Sequence, residues 1–260
     1  MKHSFLDKYS DMDSLIHRLD PRTKLIATLV FIALVVLFPH ASWLTYGLYF
    51  MVVAALIIIS RVPVNYIVGR SLVIVPFVLM VALFIPFFKE GTEAFGFNII
   101  NWHLSVSFEG LETLGSVMAK SWLSVLFLIL LTSTTTFSNI LKALERLKMP
   151  SVLVMIMSFM YRYIFVLTDE VMRMKQARDS RNFGNGGKRL WHIKTVGSMI
   201  GTLFIRSYER GERVYAAMTA RGFDGHSRTL DRLCFRQADI YFIITLGACL
   251  FLITLLNLLY

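Results

Sequence analysis

Five stretches of the chain are apolar enough to form membrane-spanning helices, and polar segments separate most of them. A transmembrane helix needs about 20 mainly apolar residues. The five predicted spans are Leu25–Phe38, Trp43–Ser60, Leu72–Phe88, Ser121–Phe137 and Ile240–Leu259. The pattern therefore predicts an all-α polytopic integral membrane protein with about five transmembrane helices.

Individual residues refine the first and third spans. Asp20 can cap a helix, and Pro21 can occupy its first turn without losing a needed hydrogen bond. Pro76 and Pro86 interrupt the third span, which we expect to kink or break unless both prolines are tolerated in a packed helix. The first 20 residues are polar and include four aspartates, so a cleavable signal peptide is not expected.

Residues 139–238, between the fourth and fifth spans, follow a different pattern. They open with SNILKALERLKMP, an amphipathic helix that suits the membrane interface. After Pro150 comes a helix with an apolar first half and a charged second half, and another helix follows from about Leu190 to Arg221. The apolar half, Ser151–Leu167, could be a span. We expect it to pack beneath the membrane, because the basic residues after it would otherwise lie outside.

Basic residues concentrate on the cytoplasmic side of membrane proteins. Five precede the first span, none lies in the turn Pro39–Ser42, and 18 of all 27 fall in residues 139–238. That segment has 8 acidic residues, so its net charge of +10 equals that of the whole chain. We therefore predict a membrane region at 1–138 with four spans, a cytosolic helical region at 139–238 and a last span in 239–260. The amino terminus should be cytoplasmic and the carboxyl terminus external.

Composition supports a membrane protein, with 56% hydrophobic residues and a mean hydropathy of +0.61. The basic segment could meet nucleic acid, anionic lipid headgroups or an acidic protein partner. Nucleic acid is the least favoured of these, because the aromatic residues of the segment lie in an apolar run without a recognisable binding motif. No nucleic-acid partner is expected.

No cluster of chemically active residues is evident. Cys234 and Cys249 lack the spacing of a disulfide framework or zinc site. The sequence GNGGKRL does not match a phosphate-binding loop, since Asn182 and Arg189 replace a required glycine and hydroxyl residue, and its glycines predict a turn. The histidines are scattered, and we predict neither a metal site nor catalytic residues. These histidines are His3, His17, His40, His103, His192 and His226.

Two helices of the basic segment end in similar sequences, KQARDSR at Lys175–Arg181 and MTARGFD at Met218–Asp224. An arginine near a helix carboxyl end complements the helix dipole, which is worth about 0.3–1 kcal/mol. Gly222 suits the left-handed position after a helix end. Capping alone would explain one such end, but two of them within the most basic segment indicate a shared binding role.

Four motifs are distributed along nearly the whole chain: IHRLDPRTKL, TTTF at Thr134–Phe137, YRYIFVLTDEVMRMKQARDSR and RSYERGERVYAAMTARGFDG. Together they resemble the transmembrane (T) component of energy-coupling factor transporters, and within that family the cobalt-type CbiQ branch. The resemblance implies a non-catalytic scaffold that joins a substrate-binding membrane subunit to two cytosolic ABC-type ATPases. ATP and Mg²⁺ would then be held by those ATPases, and this chain would need no cofactor.

The resemblance also implies a cytosolic coupling region whose two helices carry Ala-Arg-X tips that insert into the ATPases. In this sequence the tips are Ala177-Arg178-Asp179 and Ala220-Arg221-Gly222. The first departs from the usual Ala-Arg-Gly or Ala-Arg-Ser. Arg178 is preferred as its inserted arginine, with Arg181 as the alternative.

The implied cargo is a transition-metal ion, first of all cobalt, with nickel or a vitamin as alternatives, and its capture is assigned to the partner subunit. The implied location is the plasma membrane of a prokaryote, where the chain would cross the lipid several times. Two other classes stay open. A membrane enzyme requires clustered catalytic groups, and a free-standing carrier requires polar residues lining several spans. The run Thr132–Thr136 is polar, but its hydroxyls can bond back to helix carbonyls.

Gly197 and Gly201 lie one helical turn apart in the sequence GSMIG. A glycine inside a helix costs about 1 kcal/mol relative to alanine, so a compensating contact is expected. In membranes this spacing permits close helix crossing. We therefore expect the two coupling helices to cross at these glycines; the alternative is a loosely packed helix.

Overall fold

The computed structural model describes residues 9–10, 12–38, 42–88, 92–99, 102–181, 189–225 and 234–259. Helices dominate this part of the chain, which confirms the all-α prediction. A two-stranded antiparallel hairpin, which the hydrophobic pattern did not indicate, pairs Glu93–Ile99 with Trp102–Ser107. The elements in chain order are α1 (Pro21–Leu37), α2 (Trp43–Ser60), α3 (Val64–Ala82), α4 (Ile85–Phe88), β1 (Glu93–Ile99), β2 (Trp102–Ser107), α5 (Phe108–Thr134), α6 (Phe137–Arg146), α7 (Ser151–Ser180), α8 (Arg189–Ala220) and α9 (Gln237–Leu259).

The chain divides into two compact units. The membrane unit contains Ser4–Ala143 and Leu233–Tyr260, and the basic unit contains Leu144–Arg232. α9 therefore packs with the amino-terminal helices. Most of α6, which was predicted to open the cytosolic region, belongs to the membrane unit. The predicted turn at Gly184–Gly187 lies outside the described residues.

Aromatic and branched side chains form the core of the membrane unit. Phe31 of α1 is fully buried and stacks on Phe127 of α5, with ring centroids 4.4 Å apart. The edge of Tyr49, from α2, meets the same Phe31 ring at 5.7 Å. Aromatic pairs of this kind add about 0.5–1.5 kcal/mol beyond the area they bury. Phe31 thus fixes the packing of α1 against α2 and α5.

The helix boundaries follow the predicted signals. Asp20 is the N-cap of α1, and its carboxylate accepts the backbone N–H of Arg22 at 2.9 Å, with Pro21 in the first turn. α3 continues through Pro76 and stops at Ala82, before the short helix α4 that contains Pro86. The predicted break is therefore at residues 83–84. It follows that Pro76 alone does not end the helix.

Close backbone approach determines where α5 begins. A Cβ atom on Gly110 would lie 2.6 Å from the Cα of Pro86, a distance that real Cβ atoms do not adopt. The side chain of Ser107 caps the helix by accepting the N–H of Gly110 at 2.9 Å. α5 starts 13 residues earlier than the predicted fourth span, because its first turns are less apolar than its centre.

Contacts between helix ends give the direction of each helix in the membrane unit. The N–H of Asp20, before α1, donates to Oδ1 of Asp239 in the first turn of α9 at 2.7 Å. α1 and α9 therefore start on the same side. Nζ of Lys24 donates to the carbonyl of Thr134, the last residue of α5, at 2.9 Å, so α5 ends on that side too.

The start of α2 lies on the opposite side. Oγ1 of Thr45 donates to Oδ1 of Asn257, near the end of α9, at 3.4 Å. The ring of Trp43 lies so near the first turns of α5 that a Cβ on Gly115 would come within 2.8 Å of it. α1 and α9 therefore run in one direction, and α2 and α5 run in the other.

Five described helices are long and apolar enough to cross a membrane: α2, α3, α5, α7 and α9. α1, with 17 residues, is about 26 Å long, close to the hydrocarbon thickness of about 30 Å. α5 ends and α9 starts on the same side, so the chain between them crosses an even number of times. α8 is not among the five and carries many charges. We therefore infer that α7 does not cross, in agreement with the charge distribution.

His17 holds part of the polar segment before α1 together through two side-chain hydrogen bonds. Its Nε2 donates to the carbonyl of Tyr9 at 3.0 Å, and Oγ of Ser14 donates to its Nδ1 at 2.7 Å. Burial lowers the pKa of His17 below its ordinary value, which favours this neutral form. His17 is thus a structural residue, since both ring nitrogens are already used.

The helix directions and the basic-residue distribution predict the membrane topology. A reporter fused after Tyr260 should behave as extracytoplasmic, and one inserted at Gly184–Gly187 as cytoplasmic, because α9 runs parallel to α1. Alkaline phosphatase and fluorescent-protein fusions at the two sites measure this. A cytoplasmic carboxyl terminus would mean that α7 crosses the membrane.

Candidate functional site

Two long helices form most of the basic unit. α7 has 30 residues and α8 has 32, so each is about 45–48 Å long. Glu170 joins them: its Oε1 accepts from Nη1 of Arg206 on α8 at 2.5 Å, and its Oε2 accepts from Nη2 of Arg173 at 2.9 Å. A carboxylate that takes one arginine on each oxygen forms strong, directional bonds. Glu170 therefore fixes α7 against α8.

The predicted crossing at Gly197 and Gly201 is not observed. A Cβ atom on either glycine would meet no described atom within 4 Å. The Glu170–Arg206 pair lies more than one turn further along α8. The two glycines are therefore on an open surface of the basic unit, and the prediction that they mark the contact between the coupling helices was wrong.

The second tip has a defined helix end. Gly222 adopts φ +76°, the left-handed conformation that glycine tolerates best. The N–H of Phe223 donates to the carbonyl of Met218 at 3.1 Å, and the N–H of Gly222 donates to that of Thr219 at 3.0 Å. These bonds form a Schellman motif. They place Arg221 on the C-cap, exposed at the end of α8.

The first tip is arranged differently. Arg178 lies inside the last turn of α7, and its Nε and Nη2 both donate to Oδ1 of Asp179, at 3.1 and 2.9 Å. The side chain of Arg178 is 23% exposed and that of Asp179 is 50% exposed. An intramolecular carboxylate oxygen therefore occupies the Nε–Nη2 edge of the guanidinium, one of the two edges that can bind a partner carboxylate.

Arg181 and Arg221 occupy matching positions. Arg181 is the C-cap of α7, as Arg221 is of α8, and both residues are exposed. By sequence the match is instead between Ala177-Arg178 and Ala220-Arg221. The sequence match therefore selects Arg178 as the equivalent of Arg221 at the first tip, whereas the position at the helix end selects Arg181.

Both helices present apolar side chains to their surroundings. Val154 is the buried residue of α7, the aromatic side chains of its apolar half are half-buried, and six of its aliphatic and methionine side chains are exposed. Exposed contiguous apolar surface of this size indicates a binding partner or lipid. The exposed residues are Val152, Leu153, Ile156, Met157, Met160 and Ile164.

Sequence reasoning missed two sets of residues. One is Glu170 with Arg206, which stand 36 positions apart and give no local signal of their pairing. The other is a buried polar cluster in the membrane unit, where Lys24 and Asp239 connect α1 to α5 and α9. A charged residue at the edge of an apolar span was the available signal for that cluster.

Among the described residues, no three His, Cys, Asp or Glu side chains are close enough to hold a metal ion. Neither Cys234 nor Cys249 forms a disulfide. His3, His40 and His226 lie outside the described residues. The hydroxyls of Thr132 and Thr134 bond to Ile129 and Leu130 carbonyls of their own helix, as predicted.

The architecture defines a class of protein: a polytopic helical membrane unit with a basic unit of two long helices, each ending at an arginine. Comparison with known families gives the same result, because the model of the CbiQ family, described as cobalt transport protein, matches residues 12–230. The chain belongs to this family. It is a multi-pass protein of the prokaryotic plasma membrane.

Relatives in other organisms are similar over most of their length. The energy-coupling factor transporter transmembrane protein EcfT of Listeria innocua is 32% identical over 95% of this chain and 96% of that protein. The protein of the same name from Bacillus subtilis is 30% identical over 86% of each chain. An uncharacterized protein of Methanocaldococcus jannaschii is 29% identical over 92% of this chain and 82% of its own length. The family resemblance inferred from the motifs is thereby confirmed.

Replacing Gly222 with alanine should loosen the second tip, because a left-handed residue with a side chain costs about 1–2 kcal/mol. Hydrogen exchange of the amides at 219–223 should become about 5–30 times faster, without unfolding of the rest of α8. Gly211→Ala is the control. Gly211 is inside α8 with open space around it, so alanine there should slow exchange in α8. Equal effects of the two variants would contradict the assigned helix end.

Proposed function

We propose that this chain is the membrane scaffold and energy-coupling subunit of an ATP-driven importer of the energy-coupling factor type. It links a substrate-binding membrane subunit to two cytosolic ABC-type ATPases, which carry ATP and Mg²⁺ and perform the hydrolysis. The chain itself is non-catalytic and needs no cofactor. The observation that carries this proposal is the pair of long helices, joined at Glu170, that both end at an exposed arginine.

The arginines suit a coupling role for a chemical reason. A guanidinium is planar and makes two parallel bonds to a carboxylate, so it fixes the orientation of a partner as well as its distance. A rigid helix behind the arginine can pass a displacement along its axis. We assign Ala177, Arg178, Asp179 and Arg181 to one ATPase contact, and Ala220, Arg221 and Gly222 to the other.

The exposed apolar half of α7 supports the proposal that the chain also binds a substrate-binding membrane subunit. Six of its apolar side chains between Val152 and Ile164 are exposed, although the helix is inferred not to cross the membrane. A substrate-binding membrane subunit, with lipid around it, would remove this surface from water. Burial of apolar surface contributes about 25 cal/mol per Å².

A free-standing carrier is less well supported. Asp20, Lys24 and Asp239 are the buried charged residues in the described part of the membrane unit, and all three lie at helix ends. Lys24 and Asp239 are each held by several hydrogen bonds. A groove of about 280 Å³ between α3 and α5 is almost wholly apolar, which suits a lipid chain better than an ion. Neither feature provides a polar path along several spans.

We propose cobalt as the cargo, with nickel or a vitamin as the alternatives. The family description supports a metal, whereas the described part of the chain offers no group of metal ligands, so selection would occur on the substrate-binding partner. Uptake of radiolabelled cobalt by vesicles containing the whole complex, in competition with excess nickel, tests this. Stronger competition by nickel than by unlabelled cobalt would assign nickel instead.

Replacing Arg221 with alanine should weaken binding of an ATPase by about 2–5 kcal/mol, since a partner carboxylate would be left unpaired. This is a loss of affinity of roughly 30-fold or more. The double variant with Arg178→Ala should be weakest, and Arg221→Lys should recover part of the affinity because it keeps the charge but not the fork. Co-purification of the ATPases and transport in vesicles measure these effects.

Arg213→Ala is the matched control for Arg221, because it lies on the same helix and makes only an exposed 3.7 Å ion pair with Glu209. Such pairs contribute about 0–1 kcal/mol. A double variant of Arg178 and Arg221 that binds the ATPases and transports like the unmodified protein would rule out the coupling role of both tips. If Arg181→Ala had the larger effect at the first tip, Arg181 would replace Arg178 in the assignment.

Asp179 should reduce the affinity of the first tip, because its carboxylate holds both donors of the Arg178 fork. Asp179→Asn keeps the shape of the side chain and removes its charge. Since the pair is half exposed, its loss should raise ATPase affinity by only about 2–5-fold. Titration of the ATPases against the purified complex measures the change. Lower affinity of the asparagine variant would contradict this, and would mean that the charge of Asp179 contributes favourably to ATPase binding.

A further inference from the structure

The starts of α1 and α9 are joined by one buried carboxylate. Asp239 is fully buried, and its Oδ2 accepts the backbone N–H of Arg236 at 2.7 Å, which caps its own helix. Its Oδ1 accepts the N–H of Asp20 at 2.7 Å, and the Thr23 hydroxyl, which donates to the carbonyl of Asp20 at 2.6 Å, lies 3.3 Å from the same carboxylate oxygen. Asp239 therefore caps α9 and binds the first turn of α1 at the same time.

The next residue of α1 holds the end of α5. Nζ of Lys24 donates to the carbonyl of Thr134 at 2.9 Å, to Oγ1 of Thr135 at 3.3 Å and to the carbonyl of His17 at 3.2 Å. All three ammonium protons are thus used, and Lys24 is only 5% exposed. A positive charge at a helix carboxyl end also complements the helix dipole.

Thr23 and Lys24 can serve two different helices because successive residues point about 100° apart around a helix. Thr23 faces α9 and Lys24 faces the end of α5. The cluster combines an ammonium with the carboxylates of Asp20 and Asp239 out of contact with water. Buried charges of this kind are a poor source of stability compared with apolar packing, but they tolerate few alternative arrangements.

The cluster lies close, along the chain, to the places where the membrane unit is connected to the basic unit. The chain leaves the membrane unit after α5 and α6, and it returns at α9. Thr135 is two residues before α6, and Asp239 is in the first turn of α9. The segment that leads into α6 and the first turn of α9, on either side of the basic unit in the chain, are therefore both held by neighbouring residues of α1.

We propose that Lys24, together with Asp239, is a positioning site for energy coupling. It makes the cytoplasmic ends of α1, α5 and α9 move as one body when the coupling helices are displaced. This inference rests on the proposed function, since it requires ATPases that move those helices. Without the cluster, displacement of the two connections would be absorbed locally and would not reach the membrane helices together.

The test uses the complete complex with ATPases and substrate-binding subunit in vesicles, and measures substrate transported per ATP hydrolysed. Lys24→Met keeps the chain length of the side chain and removes the charge. Transport per ATP should fall at least about tenfold, because losing hydrogen bonds to a charged group shifts the equilibrium that holds the helix ends together by at least about that factor. ATPase co-purification should be unchanged, because neither tip is altered.

Thr135→Val is a milder variant that removes one bond to Lys24 and leaves all charged groups of the cluster unchanged. Thr28→Val is its matched control. Thr28 is equally buried, but its hydroxyl bonds only to the Lys24 carbonyl of its own helix at 2.7 Å. Thr135→Val should lower transport per ATP severalfold, and Thr28→Val should leave it unchanged. This pair decides the question if Lys24→Met does not fold.

The outcomes separate the two proposals. If the unmodified chain binds no ATPase, the proposed function fails. If the unmodified complex assembles and transports, but Lys24→Met and Thr135→Val show unchanged transport per ATP, the positioning role is overturned. A parallel loss of complex and transport, with an unchanged ratio, would likewise overturn it and leave the cluster a purely structural role.

Discussion

The membrane unit depends on how the ends of three helices are held together. α1 contacts α5 through Lys24 and α9 through Thr23 and Asp239. A buried ammonium or carboxylate without hydrogen-bond partners would cost several kcal/mol, so each charge requires the helix ends that supply its partners to be in place. The bonds therefore fix the order and direction of the helices more strictly than apolar packing can, because apolar contacts tolerate sliding and rotation.

The basic unit uses charge in a different way. Glu170 is the shared acceptor of two arginines, one from its own helix and one from α8. The pair is partly exposed, so its contribution to stability is modest. Its main effect is geometric, since it holds two helices of about 45–48 Å together at one point and leaves both tips accessible.

The two tips are not equivalent. α8 ends in a Schellman motif that depends on a left-handed Gly222, while α7 ends without a glycine and pairs Arg178 with Asp179. A tip whose arginine is held by a neighbouring carboxylate must exchange that carboxylate for one on its partner. The two proposed ATPase contacts should accordingly differ in strength, even if the ATPases are identical.

The sequence by itself determined the helices, the membrane class and the family. Apolar runs of sufficient length can only be membrane helices or a buried core, and Asp20, Pro21 and Gly222 act on the backbone within a few residues of themselves. It did not determine which side chains meet across the fold. Lys24 and Thr134 are separated by 110 positions, and Asp20 and Asp239 by 219, so only the packed helices bring them together. The same reason explains the error at Gly197 and Gly201: their spacing permits a close crossing, but the position of a crossing is decided by the partner helix, and in the structure the contact forms at Glu170 and Arg206.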